Sequence, residues 1–197
     1  MELYMCGRYY IPEESDFSDI SEMIRQLKLH YKDSPVLPEM KLGEIFPSDI
    51  VPAITKDSQQ LMKWGFPGFG GKGLVINARA ETVNEKPMFK KKFEAQRCLL
   101  PAGYYFEWKT DGAKKQKYAI RQKEPIYMAG LFKLDESSKV PLFVILTRSA
   151  SSELDFIHNR MPVIMPKDMR EQWLNYKIDA KELLQIPSGK FEYENVG

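Results

Sequence analysis

Seven short apolar or aromatic runs crowd the middle of this 197-residue chain, at 50–54, 74–77, 98–100, 104–108, 118–121, 126–132 and 142–147. Each is bounded by Gly, Pro, Asp or Lys-rich turn residues and is too short for a helix with a buried face, so each reads as a strand. Asp111-Gly112 between two of the runs is a hairpin signal. Helical spacing lies mostly outside this block. Ile20, Met23, Ile24 and Leu27 recur every three or four residues and predict a helix over 17–31, with Ser15 or Asp16 as its N-cap. A second helix is expected after Ser151, with Leu154 and Ile157 inward, and a third over 167–176. Pro87 ahead of Met88, Phe89 and Phe93 suggests a short helix with proline near its first turn. Strands in the middle and helices at the periphery predict an α+β fold around a curled, mainly antiparallel, barrel-like sheet.

No internal repeat and no Gly/Ser or Pro-rich linker divides the chain, so one domain over 1–197 is expected. A hydrophobic share of 43% and a charged share of 28% exclude disordered and fibrous classes. Two cysteines, Cys6 and Cys98, cannot build a disulfide framework, and no C-x-x-C pattern points to zinc. The chain lacks both a membrane-length apolar run and a signal-peptide pattern, so a cytoplasmic protein is expected, nucleoid-associated if bacterial. The net charge of +2 is uninformative as a total, but it is uneven. Residues 61–123 hold 14 basic and 5 acidic side chains, a local +9 against −7 elsewhere. That excess fits either a basic groove or lysines on solvated strand edges.

Cys6 carries the most distinctive chemistry. Met5-Cys6-Gly7-Arg8 reads as a natural start, and removal of an initiator Met would give Cys6 a free α-amine; residues 1–5 are then an extension or a leader. An α-amine titrates at about 7.7–8.0 against about 10.4 for lysine, so far more of it is nucleophilic near neutrality. A 1,2-aminothiol attacks an aldehyde through nitrogen and closes through sulfur to a five-membered thiazolidine. The alternative is a small, inert, buried cysteine. While a peptide bond precedes Cys6, that chemistry is blocked.

Glu107 sits among Tyr104, Tyr105, Phe106 and Trp108; facing inward it would be desolvated and raised into the range useful for acid–base work. Facing outward it would be an ordinary strand glutamate. His158 is the better placed of two histidines, since His30 falls on the surface of the first helix; the alternative is a helix C-cap. Asn77 and Arg79, two residues apart, share a strand face and can orient a polar ligand and hold a phosphate, or Arg79 simply neutralises Glu81. Trp64 with Phe66-Pro67, and Phe46-Pro47, can stack on bases or cap the core.

Together these segments resemble the SOS-response-associated peptidase family, also described as abasic-site-processing or DNA–protein-crosslink-forming proteins. The matching motifs are Met-Cys-Gly-Arg at 5–8, Trp-Gly at 64–65, Asn-Ala-Arg-Ala-Glu-Thr at 77–82 and Lys-Pro-x-Phe at 86–89. They continue with Arg-Cys-Leu-x-Pro-Ala at 97–102, aromatic-Glu-Trp at 106–108 and His-x-Arg-Met-Pro at 158–162. The resemblance implies a β-barrel-like α+β fold with a basic groove for single-stranded DNA, and a mature N-terminal cysteine that traps an abasic-site aldehyde as a thiazolidine. It assigns Cys6 as nucleophile, Asn77 as the group orienting the Cys6 amine or the sugar, Glu107 as general acid/base and His158 as proton-transfer partner. Arg8, Arg79 and Arg160 would hold phosphates, and Trp64 and Pro47 would stack on or wedge against bases. The implied partner is single-stranded DNA containing abasic sites, bound by a monomer with no membrane, metal or cofactor. One departure stands out: Gly103 is followed by Tyr104-Tyr105-Phe106, where the family places Gly one residue later, so a different local turn is expected. Two other classes compete: a cysteine peptidase built on Cys6, His158 and Glu107 or Asn77, and a non-covalent reader of single-stranded DNA.

Overall fold

The computed structural model describes residues 6–13, 17–112 and 114–197. The expected N-cap at Ser15 or Asp16 and the segment ahead of Cys6 lie outside the described residues.

Five strands close on themselves. β1 (Tyr9–Ile11), β2 (Gly43–Ile45), β3 (Ile50–Ile54) and β4 (Gln59–Trp64) come first, followed by the two-stranded β5 (Phe66–Pro67) and β6 (Leu74–Val75), and by β7 (Asn77–Arg79). The long hairpin β8 (Arg97–Asp111) and β9 (Lys114–Lys133) follows, then β10 (Leu142–Ser149), β11 (Arg160–Pro162) and β12 (Glu192–Asn195). The ring runs β9-β10-β4-β3-β8 and back to β9, with β1 and β2 extending from β8 and β12 from β9. β10 pairs in parallel with β4 and β7; the other strand pairs are antiparallel. The predicted curled α+β sheet is therefore a closed mixed barrel.

Alternation along the hairpin splits the core in two. Cys98, Leu100, Met128, Phe143 and Ile145 pack inward with α1 (Ser18–His30), whose buried face is Ile20, Met23, Ile24 and Leu27 as the spacing predicts. Leu99, Ala129, Leu131, Val144 and Leu146 point the other way, toward α2 (Lys90–Ala95) and α3 (Arg170–Leu174), and pack with Phe93 and Trp173. Gly130 stands where three strands converge: a Cβ there would come within 2.5 Å of Leu100 Cδ2 and 3.0 Å of the Val144 carbonyl.

The alternation breaks once. On β8 the inward residues are Cys98, Leu100 and Ala102, and then Tyr105. The ladder register shifts between Ala102 and Tyr104, so Gly103 takes up an irregularity that reverses which residues face in. The local departure from the family pattern is thus a bulge within a continuous strand rather than a turn, and Tyr104 stacks outside it on Tyr10 at 4.7 Å.

Three expectations are corrected. Residues 152–157 form consecutive turns, not a helix, although Leu154 and Ile157 are buried as expected; the backbone bonds converge on the carbonyls of Ser151 and Leu154 alone, as two successive turns rather than a continuous helical ladder. The third helix begins as a 3-10 turn at Lys167–Met169 and ends at Leu174. The short helix starts at Lys90, which leaves Pro87 ahead of its first turn.

Candidate functional site at the barrel mouth

Because of the Gly103 irregularity, Glu107 follows Tyr105 on the inward face, and it is 4% exposed. β1 lies antiparallel to β8, with Tyr9 opposite Tyr105, and the Phe106 N–H donates to the Arg8 carbonyl at 2.9 Å. This register carries Cys6, just before β1, onto the glutamate. The Cys6 backbone N–H donates to Glu107 Oε1 at 2.6 Å. Cys6 is 3% exposed and has φ of 45°, a left-handed backbone that costs a non-glycine residue energy. The inward-facing reading of Glu107 and the buried position of Cys6 therefore belong to one site.

Electrostatics couple the pair. Burial lifts the Glu107 carboxyl above the ordinary range, opposed by a hydrogen bond from the Cys6 thiol and by the charge of His158. Burial also holds the Cys6 thiol well above its usual value; the Glu107 charge and the hydrogen bond to Glu107 add to this, and Arg160 works against it. The buried Tyr105 hydroxyl, which has no hydrogen-bond partner among the described residues, is pushed up by burial first and then by Cys6 and Glu107. Tyr105 thus belongs to the site, although nothing in its motif distinguishes it from the aromatics beside it.

His158 Nδ1 accepts the Arg160 backbone N–H at 3.1 Å. It sits in the loop between the turns and β11, so the helix C-cap alternative does not apply. Arg160 opens β11 opposite Ser149. Its two Nη groups grip the Glu81 carboxylate, one of them at 2.9 Å, and Nη2 also donates to the Thr147 carbonyl at 2.8 Å. A phosphate at Arg160 would have to share or displace Glu81, whose carboxylate therefore pairs with Arg160 and not, as its sequence neighbourhood suggests, with Arg79. Asn77 and Arg79 stand on β7 opposite Ile145 and Thr147; Asn77 is half-buried and Arg79 exposed.

On the other flank, Arg8 pairs with Glu44 at 3.2 Å and lies over the rings of Phe46 (4.2 Å) and Trp108 (5.1 Å). Lys117 shares Glu44 at 2.7 Å and covers Phe106. Pro47 is half-buried in the turn beside exposed Phe46. Trp64 must be corrected. It is fully buried, stacks on Phe143, and its Nε1–H donates to the Ile76 carbonyl at 3.0 Å, so no base can reach it. The accessible ring in that stretch is Phe69, 95% exposed at the tip between β5 and β6. Its signal was the Gly-rich surround, which favours an exposed loop.

Part of the local charge excess is also internal. Arg97 is buried, and its guanidinium donates to the carbonyls of Trp173, Phe93, Glu94, Asn175 and Ile178. Among the described residues no cluster of His, Cys, Asp and Glu is arranged to hold a metal ion, and no helix is long and apolar enough to cross a membrane.

The residues so arranged match a known family. The SOS response associated peptidase (SRAP) model matches residues 5–196. The chain belongs to the SRAP family. Among SRAP-related proteins it is 31% identical to the abasic site processing protein YoqW of Bacillus subtilis, over 92% of this chain and 85% of that one. It is 33% identical to the abasic site processing protein YedK of Escherichia coli, over 68% of this chain and 65% of that one. A crystal structure of a protein from Bacteroides thetaiotaomicron shares the fold at a TM-score of 0.78 and 26% identity, covering 98% of this chain and 92% of that chain.

Proposed function

We propose that this SRAP protein recognises abasic sites in single-stranded DNA and, once Cys6 carries a free α-amine, ties itself to the lesion through that residue. The observation that carries the reading is the 2.6 Å approach of the Cys6 nitrogen to Glu107 Oε1. An amine at that position attacks the aldehyde carbon of the ring-opened sugar; Glu107 relays the proton, and loss of one water leaves an imine. The Cys6 sulfur then adds to the imine carbon, the thiol proton passes to nitrogen, and a thiazolidine closes. A carboxyl raised by burial can give as well as take these protons. His158 assists sugar opening, Asn77 orients the sugar or amine, and Arg8 and Arg79 meet the flanking phosphates. Arg160 supplies positive charge beside the thiol. Pro47, with Phe46, borders the strand's path.

The same geometry favours a second activity, autoproteolytic release of Cys6. The nitrogen held by Glu107 is the leaving group of the peptide bond that precedes Cys6. Attack by the Cys6 sulfur on the preceding carbonyl, with Glu107 taking the thiol proton and passing it to the leaving nitrogen, breaks the C–N bond and gives a thioester that water hydrolyses to a carboxylic acid and the free thiol.

Protein beginning at Cys6 should give a heat-stable, gel-shifted adduct with abasic single-stranded DNA, and Cys6→Ala should give none. An adduct that survives Cys6→Ala sinks the proposal. Intact mass tests release: loss of residues 1–5 on storage must disappear in Cys6→Ala.

A further inference from the structure

The residues around Glu107 continue outward into a group of rings that the mechanism does not use. Tyr118 is the cross-strand partner of Glu107, so its side chain shares that face. Phe156, two residues ahead of His158, meets Tyr118 edge-on at 6.1 Å. Tyr193 on β12 meets Phe156 at 5.1 Å and Tyr118 at 6.3 Å. Tyr193 stands opposite Ile120, so it shares the face of Ile120 and Tyr118, while Glu192 and Glu194 alternate to the other side and Glu192 pairs with Arg121 at 3.3 Å. Phe156 and Tyr193 are 42% and 48% exposed. Lys109, two residues along β8 from Glu107, places its ammonium 5.3 Å from the centre of the Phe156 ring.

Three rings brought together from β9, a turn and β12, half in solvent and with a cation at their edge, are more than the core needs. Stacking on exposed rings beside a cationic groove is how unpaired nucleotides are held without sequence preference. We propose that Tyr118, Phe156 and Tyr193 form a stacking platform for one or two unpaired bases flanking the lesion, with Lys109 on the adjoining phosphate. The occupant is the same DNA strand, because the platform is continuous with Glu107 through Tyr118 and with His158 through Phe156. This inference rests on the DNA reading above and adds a side of the site that no motif marks. It also gives β12 a role in binding: the strand supplies one of the rings.

The test uses the full chain and single-stranded DNA bearing a tetrahydrofuran abasic analogue, which binds but offers no aldehyde. A 2-aminopurine is placed at each flanking position in turn. Its fluorescence should fall on binding at one flank, and Phe156→Ala/Tyr193→Ala should abolish that quenching and weaken affinity on the order of tenfold or more. Phe156→Trp/Tyr193→Trp should keep both, and Phe156→Leu/Tyr193→Leu, which retains apolar bulk, should lose the quenching even if the alanine pair folds poorly. Lys109→Met should lower the salt slope of binding by about one ion. Equal quenching in the wild type and the leucine pair overturns the platform. Protein beginning at Cys6 that shows the quenching but forms no adduct with an aldehyde-bearing strand overturns the covalent reading and leaves the platform standing; an adduct with no ring dependence does the reverse.

Discussion

The Cys6 nitrogen and the Glu107 carboxylate, 101 residues apart in the chain, meet at 2.6 Å because β1 is locked to β8 in a single register. In the proposed reaction the contact joins nucleophile and proton carrier before any substrate arrives. Such an arrangement lowers the cost of orienting the reacting groups.

Glu107→Gln should slow adduct formation by protein beginning at Cys6 by about 10²–10⁴-fold, while leaving non-covalent binding of the strand nearly unchanged. Gel-resolved adduct yield against time, beside anisotropy with an aldehyde-free strand, separates the two effects.

The same carboxyl should leave a mark on stability. Burial raises it in the folded protein, so the native state keeps its proton after the unfolded chain has lost it at about pH 4.3. Its contribution is whole below that pH and fades as pH rises through the folded value. Glu81, held low by the hydrogen bonds from Arg160, has the opposite sign and loses its contribution as pH falls. Urea midpoints from mild acid to neutrality should therefore fall with pH less steeply in Glu107→Gln than in the wild type; parallel curves would contradict this.

Thiol reactivity offers a third check. Burial, the Glu107 charge and the Glu107 hydrogen bond all hold the Cys6 thiol un-ionised, and burial alone does so at Cys98. Iodoacetamide should modify both slowly in the folded protein. Glu107→Gln should speed labelling of Cys6 alone and Arg160→Gln should slow it, with Cys98 as the internal control. Peptide mapping reads each site separately.

The stacking role that sequence context suggests for Trp64 should fall instead to the exposed Phe69. Trp64→Phe removes a buried ring and its hydrogen bond to Ile76, costing about 1–3 kcal/mol of stability with little effect on DNA affinity. Phe69→Ala should leave the melting temperature nearly unchanged and weaken single-strand binding by about 1–3 kcal/mol. Thermal melts and anisotropy on the same two variants decide it.

Arg97 makes a prediction about folding alone. Its donors bridge the end of α2 to the chain beyond α3, with five carbonyls and no carboxylate. Arg97→Ala strands those acceptors and should cost about 3–5 kcal/mol; Arg97→Lys, with a single three-donor head, should recover only part. Urea titration with an unchanged slope would confirm a two-state loss.

Much of this was legible in the sequence, and the failures have physical reasons. The face of α1 and the strands around the hairpin follow from periodicity, because apolar spacing reports burial directly. Cys6, Glu107 and His158 could be singled out by chemistry, since each is a residue type with few bland uses in its context. What periodicity could not supply was partnership. Arg160 and Arg97 look alike as exposed cations until the fold gives one a carboxylate and the other a cage of carbonyls. Trp64 looked like a stacking residue because aromatic-Gly turns occur both on surfaces and under them. The rings Tyr118, Phe156 and Tyr193 carry no shared motif and meet only through the register of β9 and β12.

The break in alternation at Gly103 divides β8 into two halves with different liberties. Before it, inward positions build the core and can exchange one apolar side chain for another of similar volume. After it, the inward positions are Tyr105 and Glu107, and the register with β1 decides whether a carboxylate meets a nitrogen at all. A one-residue insertion past Gly103, or between Cys6 and Tyr9, would preserve composition and most of the barrel while turning one partner to the outside. In this protein the length of two short segments is as much a part of the chemistry as the residues they deliver.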